Sequence, residues 1–237
     1  MIKKIYNKVL LLVLLTCSCF GQDFEIPTPK KYLEISPLIN SYRGDLGSFN
    51  QINGGINLAF IYNKPRRGNL RLDFTYLYVQ ASRLRGKDYV PPIQEPIPNN
   101  YFQSQTLNFS LSYMFYIINK KNIKLYVAQG LGVFYFDPLD ENGESYFENI
   151  SDNSRGYYQT RNESETYSKF TLSLPTRFGL MYYFPTNFGI GLSGTFYNPF
   201  TDYLDNISDF GTVKGYDNVF SLNFNFHIPL QYQKLKK

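Results

Sequence analysis

From Phe220 the chain alternates. Phe220, Leu222, Phe224, Phe226 and Ile228 are apolar, and the intervening Ser221, Asn223, Asn225 and His227 are polar. A period of two with one apolar and one polar face is a β-strand that separates two environments. The pattern recurs upstream: Leu33, Ile35 and Ile39 oppose Glu34, Ser36 and Asn40; Leu70, Leu72, Phe74 and Tyr76 oppose Arg71, Asp73 and Thr75; Leu107, Phe109, Leu111 and Tyr113 oppose Asn108, Ser110 and Ser112. The runs INGGINLAFIY, IKLYVAQGLGVFYF, KFTLSLPTRFGLMYYF and FGIGLSGTFY bring the expected set to eight strands, and no helix of consequence is predicted.

The breaks between these runs alternate in length. NKPRRGN, NKKN and the Pro185-Thr186-Asn187 turn are short. The connections after strands one, three, five and seven are longer, notably the Pro-rich stretch from Arg83 to Gln103 and the acidic one from Pro138 to Ser168. In a soluble sandwich the apolar face would turn inward; in a membrane barrel it turns out to lipid. An even strand number with alternating short and long connections predicts the barrel. The expected fold is all-β: an eight-stranded antiparallel transmembrane β-barrel over residues 32–237, with short periplasmic turns and long extracellular loops.

Composition fits this reading. Tyr 22 and Phe 21 with Trp 0 make the chain 18% aromatic, yet mean hydropathy is only −0.32, so the aromatics are interleaved with polar residues. The N-terminus, MIKKIYNKVLLLVLLTCSCFGQ, has basic residues before a short apolar core and small residues after it. It reads as a secretory signal peptide over 1–21, followed by a periplasmic linker over 22–31. The apolar run is too short for a membrane span of roughly 20 residues. Lipidation at Cys17 or Cys19 is the alternative. Cleavage removes both cysteines, and loss of Lys3, Lys4 and Lys8 takes the formal charge from +5 to +2. No nucleic-acid partner and no cofactor is implied. Localisation to a Gram-negative outer membrane is expected, with lipid and lipopolysaccharide as surroundings.

Strand parity points Glu34, Arg71, Asp73, Lys169, Arg177 and His227 into the barrel. Buried charges must be paired to be tolerated, so these residues are expected to form a mutually neutralising network; a proton or solute path is the alternative. Gly54, Gly55, Gly130, Gly132, Gly189 and Gly191 are read as making room for large interior side chains. His227 is the one histidine, placed near the periplasmic rim, and neither GxSxG nor HExxH occurs, so no enzyme is expected. The periplasmic turns and tail are basic (Lys64, Arg66, Arg67; Lys120, Lys121, Lys124; Lys234, Lys236, Lys237). Such a rim reads either as ordinary solvated turns with lipid or lipopolysaccharide phosphates as counter-ions or as a docking rim for a periplasmic protein partner, since complementary charge steers association.

Four stretches carry a family resemblance: Tyr42-Arg43-Gly44-Asp45-Leu46, the run from Gly130 to Pro138, YSKFTLSLPTRFGL from Tyr167, and Phe200-Thr201-Asp202-Tyr203-Leu204-Asp205. Through them the chain resembles the PorG-like outer-membrane barrels associated with type IX secretion. The resemblance implies a non-enzymatic scaffold in a multi-subunit envelope complex, docking a periplasmic lipoprotein through its basic turns. An accessory barrel of an assembly or nutrient-uptake machine, a small-solute channel and a surface adhesin are the other readings. In the FTDYLD segment, Asp202 and Asp205 are expected to cap a turn, with Tyr203 packed on the rim.

Overall fold

The computed structural model describes residues 29–47, 49–63, 68–82, 99–148, 151–152, 158–159, 165–207 and 215–232. The expected signal segment, Cys17 and Cys19, most of the linker, Lys64, Arg66, Arg67, most of PPIQEPIPNN and the three tail lysines lie outside those residues.

Each alternating run is a strand: β1 (Pro29–Arg43), β2 (Asn53–Tyr62), β3 (Gly68–Ser82), β4 (Tyr101–Asn119), β5 (Ile123–Tyr135), a sixth in two pieces, β6a (Phe170–Ser173) and β6b (Thr176–Tyr183), then β7 (Gly189–Tyr197) and β8 (Asn218–Tyr232). Every neighbour in sequence pairs antiparallel, and β8 returns to pair with β1, which closes the sheet into an eight-stranded barrel. Closure leaves no unpaired edge along the wall, the condition for a sheet to sit in lipid. β2 and β3, β4 and β5, and β6b and β7 follow one another across one end of the barrel, the turn end, where β1 begins and β8 finishes; β1 and β2, β3 and β4, β5 and β6a, and β7 and β8 follow one another across the other, the loop end.

Three boundaries differ from the sequence reading. β1 begins at Pro29, inside the segment read as linker, and pairs Pro29 with Tyr232. β4 begins at Tyr101, so the last residues of the expected Arg83–Gln103 loop belong to the wall, where Gln103 and Ser104 pair with Leu139 and Pro138. The sixth strand is interrupted at Leu174–Pro175, because proline has no N–H to give to a ladder. The break is stitched by Gly130 N–H to the Pro175 carbonyl (2.9 Å), Leu174 N–H to the Asn198 carbonyl (3.1 Å) and Asn198 Nδ2 to the Leu174 carbonyl (3.0 Å).

Burial follows the alternation with the polarity of a membrane barrel. Outward residues are apolar and exposed, among them Phe60 (58%), Leu131 (59%), Phe178 (51%) and Phe224 (48%). Inward residues of the same strands are polar and buried, such as Asn57, Thr75, Asn108, Ser193 and Asn223. A soluble sandwich has the opposite arrangement, and an apolar belt around the whole wall far exceeds the few hundred Å² that soluble monomers leave open. The interior is filled in three tiers. Tyr32, Ile61, Met114, Tyr116, Tyr126, Met181 and Tyr183 pack at the turn end. Leu77, Val79, Phe102, Phe134, Tyr197 and Val219 pack at the loop end. The polar residues lie between them.

Candidate functional site: a charge cluster inside the barrel and a cap at its mouth

Register brings the inward charges of β1, β3, β6b and β8 to one level: Glu34 pairs across with His227, and Arg71 lies two residues from Asp73 on the same face. Arg71 grips Glu34 with both terminal nitrogens (Nη1 to Oε2 2.6 Å, Nη2 to Oε1 2.7 Å). Its Nε and Nη2 also reach Asp73 (2.8–3.0 Å). Such two-pronged contacts match the planar guanidinium to carboxylate geometry. Arg177 closes the cluster from the opposite wall, 3.4 Å from Glu34 and 3.3 Å from Asp73. His227 Nε2 sits 2.6 Å from Glu34 Oε2, and its Nδ1 is 2.8 Å from the Tyr183 hydroxyl. Tyr183 O–H donating to Nδ1 and Nε2–H donating to Glu34 describe a neutral imidazole. Two guanidinium groups and two carboxylates then balance. All five side chains are sealed from solvent, at 0–5% exposure.

Five of the six residues expected in the network therefore meet. Lys169 does not. It precedes β6a at the loop end, pairs with Asp137 (2.7 Å) and keeps its side chain 21% exposed. Parity gave its face correctly, but its height puts it above the cluster. His227 is likewise inside the lumen and not at a rim. Of the basic turn residues, Lys120 and Lys121 are exposed. Lys124 is buried, its ammonium 4.9 Å from the Tyr116 ring and 4.8 Å from the Tyr183 ring. It packs in the turn-end tier and offers nothing to a partner outside. Gly189 does lie against Tyr183 and His227, whereas Gly54 faces open space on the outside.

A second polar site, absent from the sequence reading as a unit, closes the loop end. The segment 200–207 folds into the barrel mouth and buries Leu204, Asp205, Asn206 and Ile207. Asp205 accepts from Ile207 N (3.0 Å), Leu46 N (3.3 Å) and the Tyr42 hydroxyl (2.6 Å). Asp217, just before β8, accepts from Leu204 N (2.9 Å) and lies 2.7 Å from the same Tyr42 oxygen. Asn99 Nδ2 holds the Asp205 carbonyl (2.8 Å), and Tyr203 stacks on Tyr167 at 4.7 Å. Gly44 is required by close approach: a Cβ there would fall on Tyr42 Oη and Asp217 Oδ1. Asp205 thus caps the turn as expected and Tyr203 packs on the rim. The cap over Tyr203 N comes from the Thr201 hydroxyl (3.1 Å), however, and Asp202 is left half-buried. Burial raises the Asp205 carboxyl to about 7 despite the bonds from Tyr42 and Ile207. Burial and then the charge of Asp205 push Asp217 well above the carboxylate range, and burial with Asp45 lifts Asp202 to about 6.

A closed barrel with an apolar outside and a polar, side-chain-filled inside defines the class. The fold is that of the outer-membrane β-barrels. Neisserial surface protein A superposes with a TM-score of 0.52 at 10% identity, over 85% of this chain and 97% of that one. Ail, the attachment invasion locus protein of Yersinia pestis, gives 0.47 at 13% identity over 84% and 97%. The outer-membrane enzyme PagL gives 0.38 at 14% over 83% and 99%. No family model and no curated protein matches the sequence. The eight-stranded outer-membrane barrel is thereby established as the architecture, at identities that speak to fold alone.

Proposed function

We propose that this protein is a non-conducting, non-enzymatic anchor of a larger cell-envelope machine, and that the machine is type IX secretion. The observation that carries the anchor reading is the filled lumen. Apolar tiers stand at both ends of the barrel, and the charges between them are spent on one another. A solute path needs an open, hydrated bore, and eight strands enclose an interior that side chains fill. The one histidine is held between Glu34 and Tyr183 out of reach of any substrate, which speaks against hydrolytic chemistry.

The type IX assignment rests on the PorG-like stretches. Two of them, Tyr42–Leu46 and Phe200–Asp205, lie far apart in the chain yet meet through Tyr42, Leu46 and Asp205. Residues that make one physical unit are a sounder basis for resemblance than scattered identities. In this reading the turns carrying Arg66, Arg67, Lys120 and Lys121 face the periplasm and dock an acidic surface of a lipoprotein partner, while Lys124 takes no part.

The test is capture from native membranes in mild detergent, with a tag inserted between residues 141 and 148. Recovery of periplasmic lipoproteins, lost on neutralising Arg66, Arg67, Lys120 and Lys121, is the expected result. Recovery of a different barrel machine moves the role there and keeps the anchor. Recovery of the protein alone, with stepwise conductance in planar bilayers, overturns the proposal.

A further inference from the structure

The cap contains an arrangement that hydrogen-bond counting cannot satisfy with ionised groups. Tyr42 Oη lies 2.6 Å from Asp205 Oδ2 and 2.7 Å from Asp217 Oδ1. A phenol has one hydrogen and donates it once. The second short contact therefore needs its hydrogen from a carboxyl group: Tyr42 O–H donates to one aspartate, and the other aspartate, protonated, donates to the phenol oxygen. With both carboxylates ionised, two buried anions and an oxygen lone pair would converge on a single hydrogen. Among the described residues neither aspartate forms an ion pair with lysine or arginine, and the charges that act on the pair from Asp45 and Asp202 are also acidic.

We infer that the cap is a pH latch, in which one proton held at the Tyr42–Asp205–Asp217 contact keeps residues 200–207 seated in the barrel mouth and its loss releases them. The carboxylates are tied directly to the backbone that must move. Asp217 Oδ2 holds Leu204 N, Asp205 Oδ1 holds Ile207 N, and Asp205 Oδ2 reaches Leu46 N on the segment after β1. Leu204 and Ile207 are the apolar stoppers over the loop-end tier, so their withdrawal uncovers Phe102, Phe134 and Tyr197. Both carboxyls are raised in the closed state. A raised carboxyl stabilises that state fully below its ordinary value of about 4 and loses the contribution as pH climbs through the raised value. The latch therefore holds at acid pH and weakens through about 7, where Asp205 titrates, and above. This reading is independent of which machine the barrel serves.

Hydrogen exchange on the full chain in lipid bilayers tests it, following the amides of Leu46, Leu204 and Ile207 at pH 5.5 and 8.5 after correction for the intrinsic rate. Protection in the native chain is expected to fall about tenfold or more across that range, while amides in the middle of β3 and β8 stay protected. Asp217→Asn and Asp205→Asn, which carry their hydrogens permanently, are each expected to flatten the response. Infrared spectroscopy of the native chain supplies a readout that does not depend on the variants folding, because a protonated carboxyl band must be present at pH 6 and decline toward pH 9. Unchanged protection in the native chain across the range, a pH response in both asparagine variants as steep as the native one, or absence of that band would each overturn the latch.

Discussion

Glu34 and Asp205 are both fully buried carboxylates in one barrel, and they are kept by opposite means. Around Glu34 the wall supplies Arg71, Arg177 and the imidazole of His227, so the negative charge meets fixed positive charge in two-pronged geometry. Around Asp205 the neighbours are Asp217, the Tyr42 hydroxyl and backbone amides, with more acid in Asp45 and Asp202. The first site is neutral by composition, two guanidinium groups against two carboxylates. The second holds two acids against one phenol, and a bound proton halves its negative charge. The difference follows from location: the lumen cluster is built by strands, which bring side chains from four walls to one level, whereas the cap is a returning segment that brings its own acids to a mouth already lined by one.

The most damaging change should be Arg71→Met alone. It strands Glu34 and Asp73 in the interior and is expected to cost about 3–5 kcal/mol, read as a lowered urea midpoint of the bilayer-folded barrel. Replacing the whole group together (Glu34→Leu, Arg71→Met, Asp73→Leu, Arg177→Met) should recover most of that loss, since buried charges removed as a balanced unit leave no orphan. If the quadruple variant is as weak as the single one, the cluster is not the self-contained neutral unit described above.

Next in size is Gly44→Ala, which drives a methyl between Tyr42 Oη and Asp217 Oδ1 and should destabilise the cap by about 1–3 kcal/mol, seen as faster exchange at Leu204 with the lumen cluster untouched. Asp217→Asn should act in the reverse direction at pH 8.5, stabilising the barrel against urea by about 1–2 kcal/mol because a buried group no longer has to ionise. The gain should vanish near pH 5, and a gain equal at both values would break the contrast between the two sites. The smallest effect belongs to the exposed turn. Lys120→Ala with Lys121→Ala should shift stability by no more than about 0.5 kcal/mol while abolishing partner capture, whereas Lys124→Met should leave capture intact.

The contrast also shows what a sequence can disclose. Period-two alternation fixes which face a residue takes, and that was enough to gather Glu34, Arg71, Asp73, Arg177 and His227. Parity carries no height along the barrel, which is why Lys169 was grouped with them although it stands at the loop end beside Asp137. Lys124 was legible and missed: it shares parity with Tyr126 and Ala128, both interior, but its neighbours Lys120 and Lys121 make it look like part of a turn. The cap lies beyond any periodicity. Asp217 sits outside the FTDYLD motif, and nothing local says that it and Asp205 converge on Tyr42; only the closure of β8 on β1 puts them together. The interruption at Leu174–Pro175, by contrast, was written in the proline itself.

Both polar sites straddle the same seam. Glu34 and Tyr42 belong to the first strand, His227 to the last, and Asp217 to the residue that leads into it. A chain arrested before its final strand docks has Glu34 without its imidazole and Tyr42 without its second aspartate, while β1 and β7 both stand with open edges. Neither site is complete before the last strand docks. Maturation should then finish in a single late event, like the fastening of a clasp: a partly inserted barrel holds its guanidinium pairs without the imidazole and its mouth without the full cap, and the finished one completes both at the moment β8 meets β1.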